Sequence, residues 1–355
     1  MNSTNDVPLF SIVVPIYNSE TFIKECLDSI SSQSFFNYEV ILINDGSADK
    51  SGAICEETAK KDQRFKVFHQ MNQGQLSARI NGALNATGQY LVFLDSDDML
   101  KKDALETLKE CINNYNPDII IFNSSIDKQF HIPYRKFFFS KFFFDTKDII
   151  EIKKAACSSN AMNNMAFKCI KTALISCDKD FSSFYWMRNG EDLIQSFFLI
   201  DKASSVFFLD SILYYYRHNP QSVTHTFNLQ EISSLKTAER QRRDYSLKWS
   251  DSNNKLTIMA EMCTLVNLSN VILKILKSNI DYKIKKEMLT SIESDSFFVN
   301  TMRNACSSIH LKEYIVLSLV FKRKIKTLLF LQIMLSFLRK IIPAPQAVLS
   351  SGADD

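Results

Sequence analysis

The chain has 355 residues, 46% of them hydrophobic, and carries 42 Lys and Arg against 39 Asp and Glu. That length buries a large core in two or three structural units, and the near-balance of charge gives no case for nucleic acid as a partner. Eight Cys are scattered without a CxxC pair, which fits buried thiols in a reducing cytoplasm better than a disulfide framework or a zinc site.

The apolar run 9–14 reads as a strand closed by Pro15, with Tyr17 and Asn18 on the loop beyond it. Phe22, Ile23, Cys26, Leu27 and Ile30 recur at helical spacing. A second strand over 38–43 ends in Asn44, Asp45, Gly46 and Ser47, which fit a turn and helix cap or place Asp45 against a ligand. A helix over 49–61, a strand over 65–69 and a helix entered through 72–81 follow. In that helix Leu76, Ile80, Ala83 and Leu84 form the core stripe, leaving Ser77 and Arg79 on other faces. Gly74 at its entrance lets the backbone take a positive φ or approach a ligand closely.

Residues 90–94 then run straight into Asp95, Ser96, Asp97 and Asp98. This is a buried strand delivering carboxylates to its C-terminal end, where open α/β sheets bind ligands. Carboxylates two residues apart serve one divalent cation as hard oxygen ligands and leave places for substrate phosphates. The same cluster fits the N-cap and first turn of a helix over 101–114. A calcium loop from Asp95 to Glu106 fails, because Leu100 stands where the sharp turn needs Gly. The β-α-β-α-β-α-β order predicts right-handed crossovers and a mostly parallel sheet, and no GxGxxG follows the first strand.

A strand over 118–123 comes next. The segment 134–144, with two Phe triplets, reads as a hairpin or strand on the core, or else as an exposed acceptor or lipid contact. Glu191 and Asp192 open a helix striped by Leu193, Ile194, Phe197, Phe198 and Ile200. On residue chemistry alone they read as a cap and dipole pair at the helix start. Short strands over 206–209 and 212–216 lead into a polar loop, 217–225, with Arg217, His218 and His225. From Gln230 the chain turns helical. Within 315–342 two apolar runs flank a basic stretch, and neither reaches the roughly 20 apolar residues of a membrane span. Two readings fit: a basic helix in a membrane interface, or a helical pair packed on the α/β part of the chain or a second subunit.

In order and interval, Val13-Val14-Pro15-Ile16-Tyr17-Asn18, Asn44-Asp45-Gly46-Ser47, Asn72 through Asn81 and Asp95-Ser96-Asp97-Asp98 resemble the successive signatures of family 2 glycosyltransferases with the GT-A fold. The resemblance implies a Rossmann-like α/β fold: a mixed, mostly parallel sheet flanked by helices, plus a C-terminal helical region. It implies a catalytic domain over 1–228, with a nucleotide-sugar part (1–100) and an acceptor part (101–228). A helical region over 229–343 and a disordered tail over 344–355 would follow. The implied activity is inverting transfer of a sugar from a nucleotide-diphospho-sugar, with UDP the expected nucleotide, to a hydroxyl of a glycan or lipid-linked oligosaccharide. The implied setting is cell-surface polysaccharide synthesis at the cytoplasmic face of the inner membrane.

By the same resemblance, Pro15, Tyr17 and Asp45 surround the base and ribose, Arg79 lies near the nucleotide, and Asn18, Gly46, Asn72 and Gly74 belong to the nucleotide-sugar site. Asp95, Ser96 and Asp97 carry the DxD motif, with Asp95, Asp97 and Asp98 as ligands to Mn²⁺ or Mg²⁺. Arg217 or His218 offsets the charge of the diphosphate. Asp192 is the general base, with Glu191 as second choice. Ile80 departs from the family's Ala-Arg-Asn run, although Asn81 follows it. A nucleotidyltransferase would need a Gly-rich basic loop after the first strand, which Pro15-Ile16-Tyr17-Asn18 is not. A non-catalytic nucleotide-sugar-binding or membrane-scaffolding subunit of the same fold is the remaining alternative.

Overall fold

The computed structural model describes residues 7–134, 141–175, 179–219, 229–250, 252–322 and 324–328. The chain divides into two compact units, one ending at Cys263 and one starting at Thr264.

The first unit is built on β1 (Phe10–Ile16), β2 (Tyr38–Asp45), β3 (Phe65–Gln70) and β4 (Tyr90–Phe93), joined by α1 (Ile23–Ser31), α2 (Ser51–Lys61) and α3 (Gln75–Leu84). These strands pair in parallel in the order β3-β2-β1-β4. Every residue of β1, β2 and β4 is buried, as strands covered on both faces must be. Side chains alternate along β1, so Phe10, Ile12, Val14 and Ile16 meet α1, α2 and α4 (Ala104–Tyr115) in one layer. Val13 points into the other layer, with α3, α5 (Ile149–Ser158), α6 (Glu191–Lys202) and α7 (Glu231–Trp249).

The sheet continues through β8 (Lys168–Lys171), antiparallel to both β4 and β6 (Ile119–Ser125), then β9 (Val206–Tyr215) parallel to β6. Two-residue strands β5 (Met99–Leu100) and β7 (Phe143–Phe144) add to β9. Strand order reverses about β1, which has β2 on one side and β4 on the other. That reversal opens a crevice at the strands' C-terminal ends.

Several expected boundaries move, each for a local reason. Pro15 does not stop β1, because pairing with β4 ends at Val13 and the missing Pro15 N–H falls on the side that β4 has already left. The two short strands over 206–216 are one, carrying a bulge at Asp210–Ser211 where the register to β6 jumps; Asn123 Nδ2 donates to Asp210 Oδ1 at 2.8 Å. The helix expected over 101–114 starts at Ala104, because Met99 and Leu100 pair with Tyr215 and Tyr214. Of the Phe triplets, Phe143 and Phe144 form the strand on β9 while Phe142 is exposed, and 137–139 lie outside the described residues.

Helix α8 (Lys255–Lys277) crosses the boundary between units; the second unit also holds α9 (Tyr282–Ser294), α10 (Ser296–Ala305) and α11 (Leu311–Phe321). Asp281 and Asp295 cap α9 and α10 by accepting from backbone N–H groups of the first turns. By length and composition α8 would suffice to cross a membrane, yet 56% of its apolar window is buried inside the protein, as in a core helix. The segment 315–342 is described only as far as 328, and the tail lies outside the described residues.

Candidate functional site

A cleft of ≈ 880 Å³ opens at the reversal point, reached by the ends of β1, β2 and β4, the start of α3, the turn before α6 and the segment after β9. Pro15, Tyr17, Asn18, Asp45, Asn72 and Gly74 line one side. Tyr17 is exposed, and Asn18, at φ +47°, ties the β1 and β2 loops by accepting from Ala48 N at 2.9 Å.

Asp45 is buried and fully engaged. Its Oδ1 accepts from Gln70 Nε2 and Gln73 N, both at 2.8 Å, and its Oδ2 from Gly74 N at 2.9 Å. The carboxylate therefore moulds the 72–75 loop. Gly74 has φ +91°, and a Cβ there would stand 3.1 Å from Tyr185 O, so the loop passes directly against the turn before α6. Gly46, at φ +71°, comes equally close to Asn72, 2.9 Å from an added Cβ to its backbone N. Asn81 donates to Gln70 Oε1 at 2.7 Å and so braces the residue that holds Asp45, while Ile80 packs on the core.

In the acid loop, Asp95 Oδ1 accepts from Gln75 Nε2 at 2.8 Å and from Arg79 Nη2 at 3.0 Å. The Ser96 and Ser19 hydroxyls lie 2.6 Å apart, and Asp97 Oδ2 accepts from Asn219 at 3.1 Å. Asp98, expected as a metal ligand, lines the cleft but is buried, with both carboxylate oxygens hydrogen-bonded. Its Oδ2 accepts from the Tyr214 hydroxyl at 2.6 Å and its Oδ1 from Arg217 N at 2.7 Å. Burial, with the charges of Asp97 and Asp95, holds its carboxyl well above the usual carboxylate range. Arg217 lines the cleft but is tied down, donating to Asp97 O and Glu25 while its guanidinium lies over the Phe22 and Tyr215 rings.

Arg79 is where the sequence reading and the structure part most. Instead of facing away from the core it is 1% exposed, and its guanidinium donates to Asp95 and to Asp192 Oδ1, 113 positions along the chain. Burial opposes its charge, but Asp192, Asp95 and Glu191 outweigh that and raise its pKa. Ser77, also expected outside, is buried. The Asp95 carboxyl is pushed up by burial, against which Arg79 works.

Gly190, at φ +86°, occupies the cap position of α6, and no side chain caps the helix, so Glu191 and Asp192 are free of that duty. Glu191 is buried, lines the cleft and leaves its Oε2 without a hydrogen-bond partner among the described residues; burial and the Asp192 charge push it up to about 7. Behind them on β8, Lys168 is fully buried, donating to Asn164 O and to Ser196 Oγ at 3.1 Å. Burial pushes its pKa down to about 7, with Asp192 opposing. Arg79, Asp192 and Gly46 do not themselves line the cleft. Among the described residues no cluster of three or more His, Cys, Asp or Glu is gathered as a metal site.

The profile of glycosyl transferase family 2 matches residues 11–173. Glycosyltransferase GlyG of Streptococcus pneumoniae is 32% identical over 228 residues, 61% of this chain and 73% of that protein. The chain belongs to glycosyltransferase family 2. The uncharacterized family relative EpsJ of Bacillus subtilis is 42% identical over 130 residues, 36% of this chain; the match spans 38% of EpsJ's own length. The fold is that of S. aureus TarS 1–349 in complex with UDP-GlcNAc, with a TM-score of 0.65 at 18% identity over 90% of this chain and 92% of that one. Within this family fold, sequence reasoning missed Gln75, Tyr214, Lys168 and Trp186. Gln75 was signalled only by its place after Gly74; the other three carried no signal.

Proposed function

We propose that this chain is an inverting glycosyltransferase that moves a sugar from a nucleotide-diphospho-sugar, UDP-linked in this reading, to a hydroxyl of a glycan or lipid-linked glycan in cell-surface polysaccharide synthesis. The observation that carries the proposal is the buried Arg79 joining Asp95 of the acid loop to Asp192 of α6 behind one cleft. Donor and acceptor chemistry would thus be held at a fixed separation. The UDP-GlcNAc bound by the fold neighbour TarS supports a UDP-sugar donor.

Asp95 and Asp97 each keep one carboxylate oxygen that accepts no hydrogen bond from the described residues, whereas Asp98 keeps none. This donor set fits Mn²⁺ or Mg²⁺ bound by a few hard protein oxygens. Such an ion would neutralise charge on the departing diphosphate.

Asp192 presents Oδ1 to Arg79 and leaves Oδ2 for a substrate. As the acceptor oxygen bonds to the anomeric carbon and the bond to the diphosphate oxygen breaks, the hydroxyl proton passes to this carboxylate. A second reading has a specific observation behind it: Glu191 lines the cleft, and its value of about 7 suits a base at neutral pH.

Thermal stabilisation by UDP, UDP-sugars and other nucleotide diphosphates, with and without Mn²⁺, tests the donor site. Asp192→Asn is expected to keep that stabilisation and lose transfer by roughly 10²–10⁴-fold. If Glu191→Gln rather than Asp192→Asn loses transfer and flattens the pH profile near 7, the base is Glu191. No nucleotide-dependent stabilisation and no transfer would return the chain to a non-catalytic subunit.

The membrane proposal rests on α11, which exposes Leu311, Tyr314 and Ile315 beside Lys312, with Lys322, Lys324 and Lys326 following. A second subunit covering the same face is the alternative.

A further inference from the structure

The turn before α6 is anchored on both sides of one residue. Asp180 accepts from Ser182 N at 2.7 Å and from the Ser182 hydroxyl at 2.9 Å, bracing the single-turn helix Ser182–Phe184. The carbonyl of Tyr185 lies against Gly74 at the entrance to α3. Met187 is 2% exposed in the core. Between these, Trp186 is 42% exposed, lines the cleft, and has its indole fixed by donation from Nε1 to Ser183 O at 2.9 Å.

An exposed, oriented indole on a cleft wall offers a flat apolar surface, and its electron-rich face suits the electropositive C–H face of a pyranose ring. Tyr17 and Asp45 belong to the β1 and β2 ends, whereas Trp186 stands five residues before Glu191, whose buried Oε2 lacks a donor among the described residues. A buried carboxylate oxygen without a donor is costly, and a ligand hydroxyl would satisfy it.

We infer that Trp186 is the platform on which the acceptor pyranose stacks, with Glu191 Oε2 receiving a hydrogen bond from one of that sugar's hydroxyls. This rests on the glycosyltransferase reading and names the acceptor class for it: a sugar with one open C–H face, presented at the α6 end of the cleft.

The chain has two Trp, and Trp249 is buried and stacked on Phe197, so sugar-dependent emission changes report Trp186. The experiment titrates the full chain, with UDP and Mn²⁺ present, with the methyl glycosides of glucose, galactose and N-acetylglucosamine, with cellobiose, and with sorbitol as an open-chain control. At least one pyranoside is expected to give a saturable emission change that sorbitol does not, and the change vanishes in Trp186→Phe. With that pyranoside as acceptor, Trp186→Ala raises KM at least about tenfold, Trp186→Phe restores most of the loss, and both keep the UDP-dependent rise in melting temperature. The inference is overturned if no pyranoside differs from sorbitol, or if Trp186→Ala loses the UDP response, which would make Trp186 a donor contact. A wild-type chain with no UDP response refutes the underlying glycosyltransferase reading instead, and is visible before any sugar is added.

Discussion

Replacing Arg79 by Met removes the guanidinium while keeping much of its apolar stem. Among the described residues, Asp95 Oδ1 is then left with Gln75 alone, and Asp192 Oδ1 with no partner. Breaking a buried pair costs about 3–5 kcal/mol, because the surviving charge is uncompensated. Here the two carboxylate side chains are 22% and 26% exposed and gain some hydration, so the lower end, about 3 kcal/mol at pH 7.5, is expected. For a unit of this size that corresponds to a fall of about 6–12 °C in melting temperature. The deficit also depends on pH. Burial already raises the Asp95 carboxyl and Arg79 opposes it, so losing Arg79 raises it further. A carboxyl raised in the folded state binds extra protons there, so the variant's stability falls as pH rises through that window and recovers as pH falls. Urea unfolding of both proteins at pH 4.5 and 7.5 measures this. Equal deficits at the two pH values would show that only packing was lost, and no deficit at pH 7.5 would show that the carboxylates do not need the cation.

Two further outcomes follow from other elements. Lys168 has its pKa pushed down to about 7 by burial, so between that value and its ordinary 10.5 the unfolded chain binds more protons and wild-type stability rises with pH. Lys168→Met removes this slope, and its stability relative to wild type should be higher at pH 7 than at pH 9.5 by up to about 3 kcal/mol; parallel unfolding curves would sink the assignment. If α11 and the basic residues after it lie on a membrane, the chain should co-sediment with vesicles containing anionic lipid and be released by salt. Equal binding to neutral vesicles, or concentration-dependent dimerisation without vesicle binding, would move that face to lipid-independent or subunit contact.

What was legible in the sequence was the sheet's donor half. Apolar runs such as 38–43 and 90–94 end in polar punctuation, and a strand covered on both faces has few other ways to read. The carboxylates Asp45, Asp95 and Asp97 accordingly stand at strand ends. Long-range pairing was not legible. Arg79 looks like a surface residue because a lone charge is seldom buried, and only Asp192, far along the chain, makes its burial tolerable. Asp98 and Asp97 are equivalent as letters, and it takes Tyr214, brought alongside by β9, to turn one of them inward. The bulge at Asp210–Ser211 read as a break between strands because local polarity does not reveal that Asn123 waits opposite. Trp186 gave no signal at all, since a single aromatic among Phe and Tyr residues reads as core.

Gln75 and Arg79 stand four residues apart on α3, one turn of helix and about 6 Å of rise. Both reach Asp95, and the second also reaches Asp192. The span from acid loop to α6 is thus bridged by one guanidinium whose base is fixed on α3, and α3 acts as a ruler laid behind the cleft. Inserting one residue between 75 and 79 would swing the guanidinium by about 100° around the helix axis. Variation that changes sugar or acceptor choice is therefore expected in the walls, and length variation in this single turn is not.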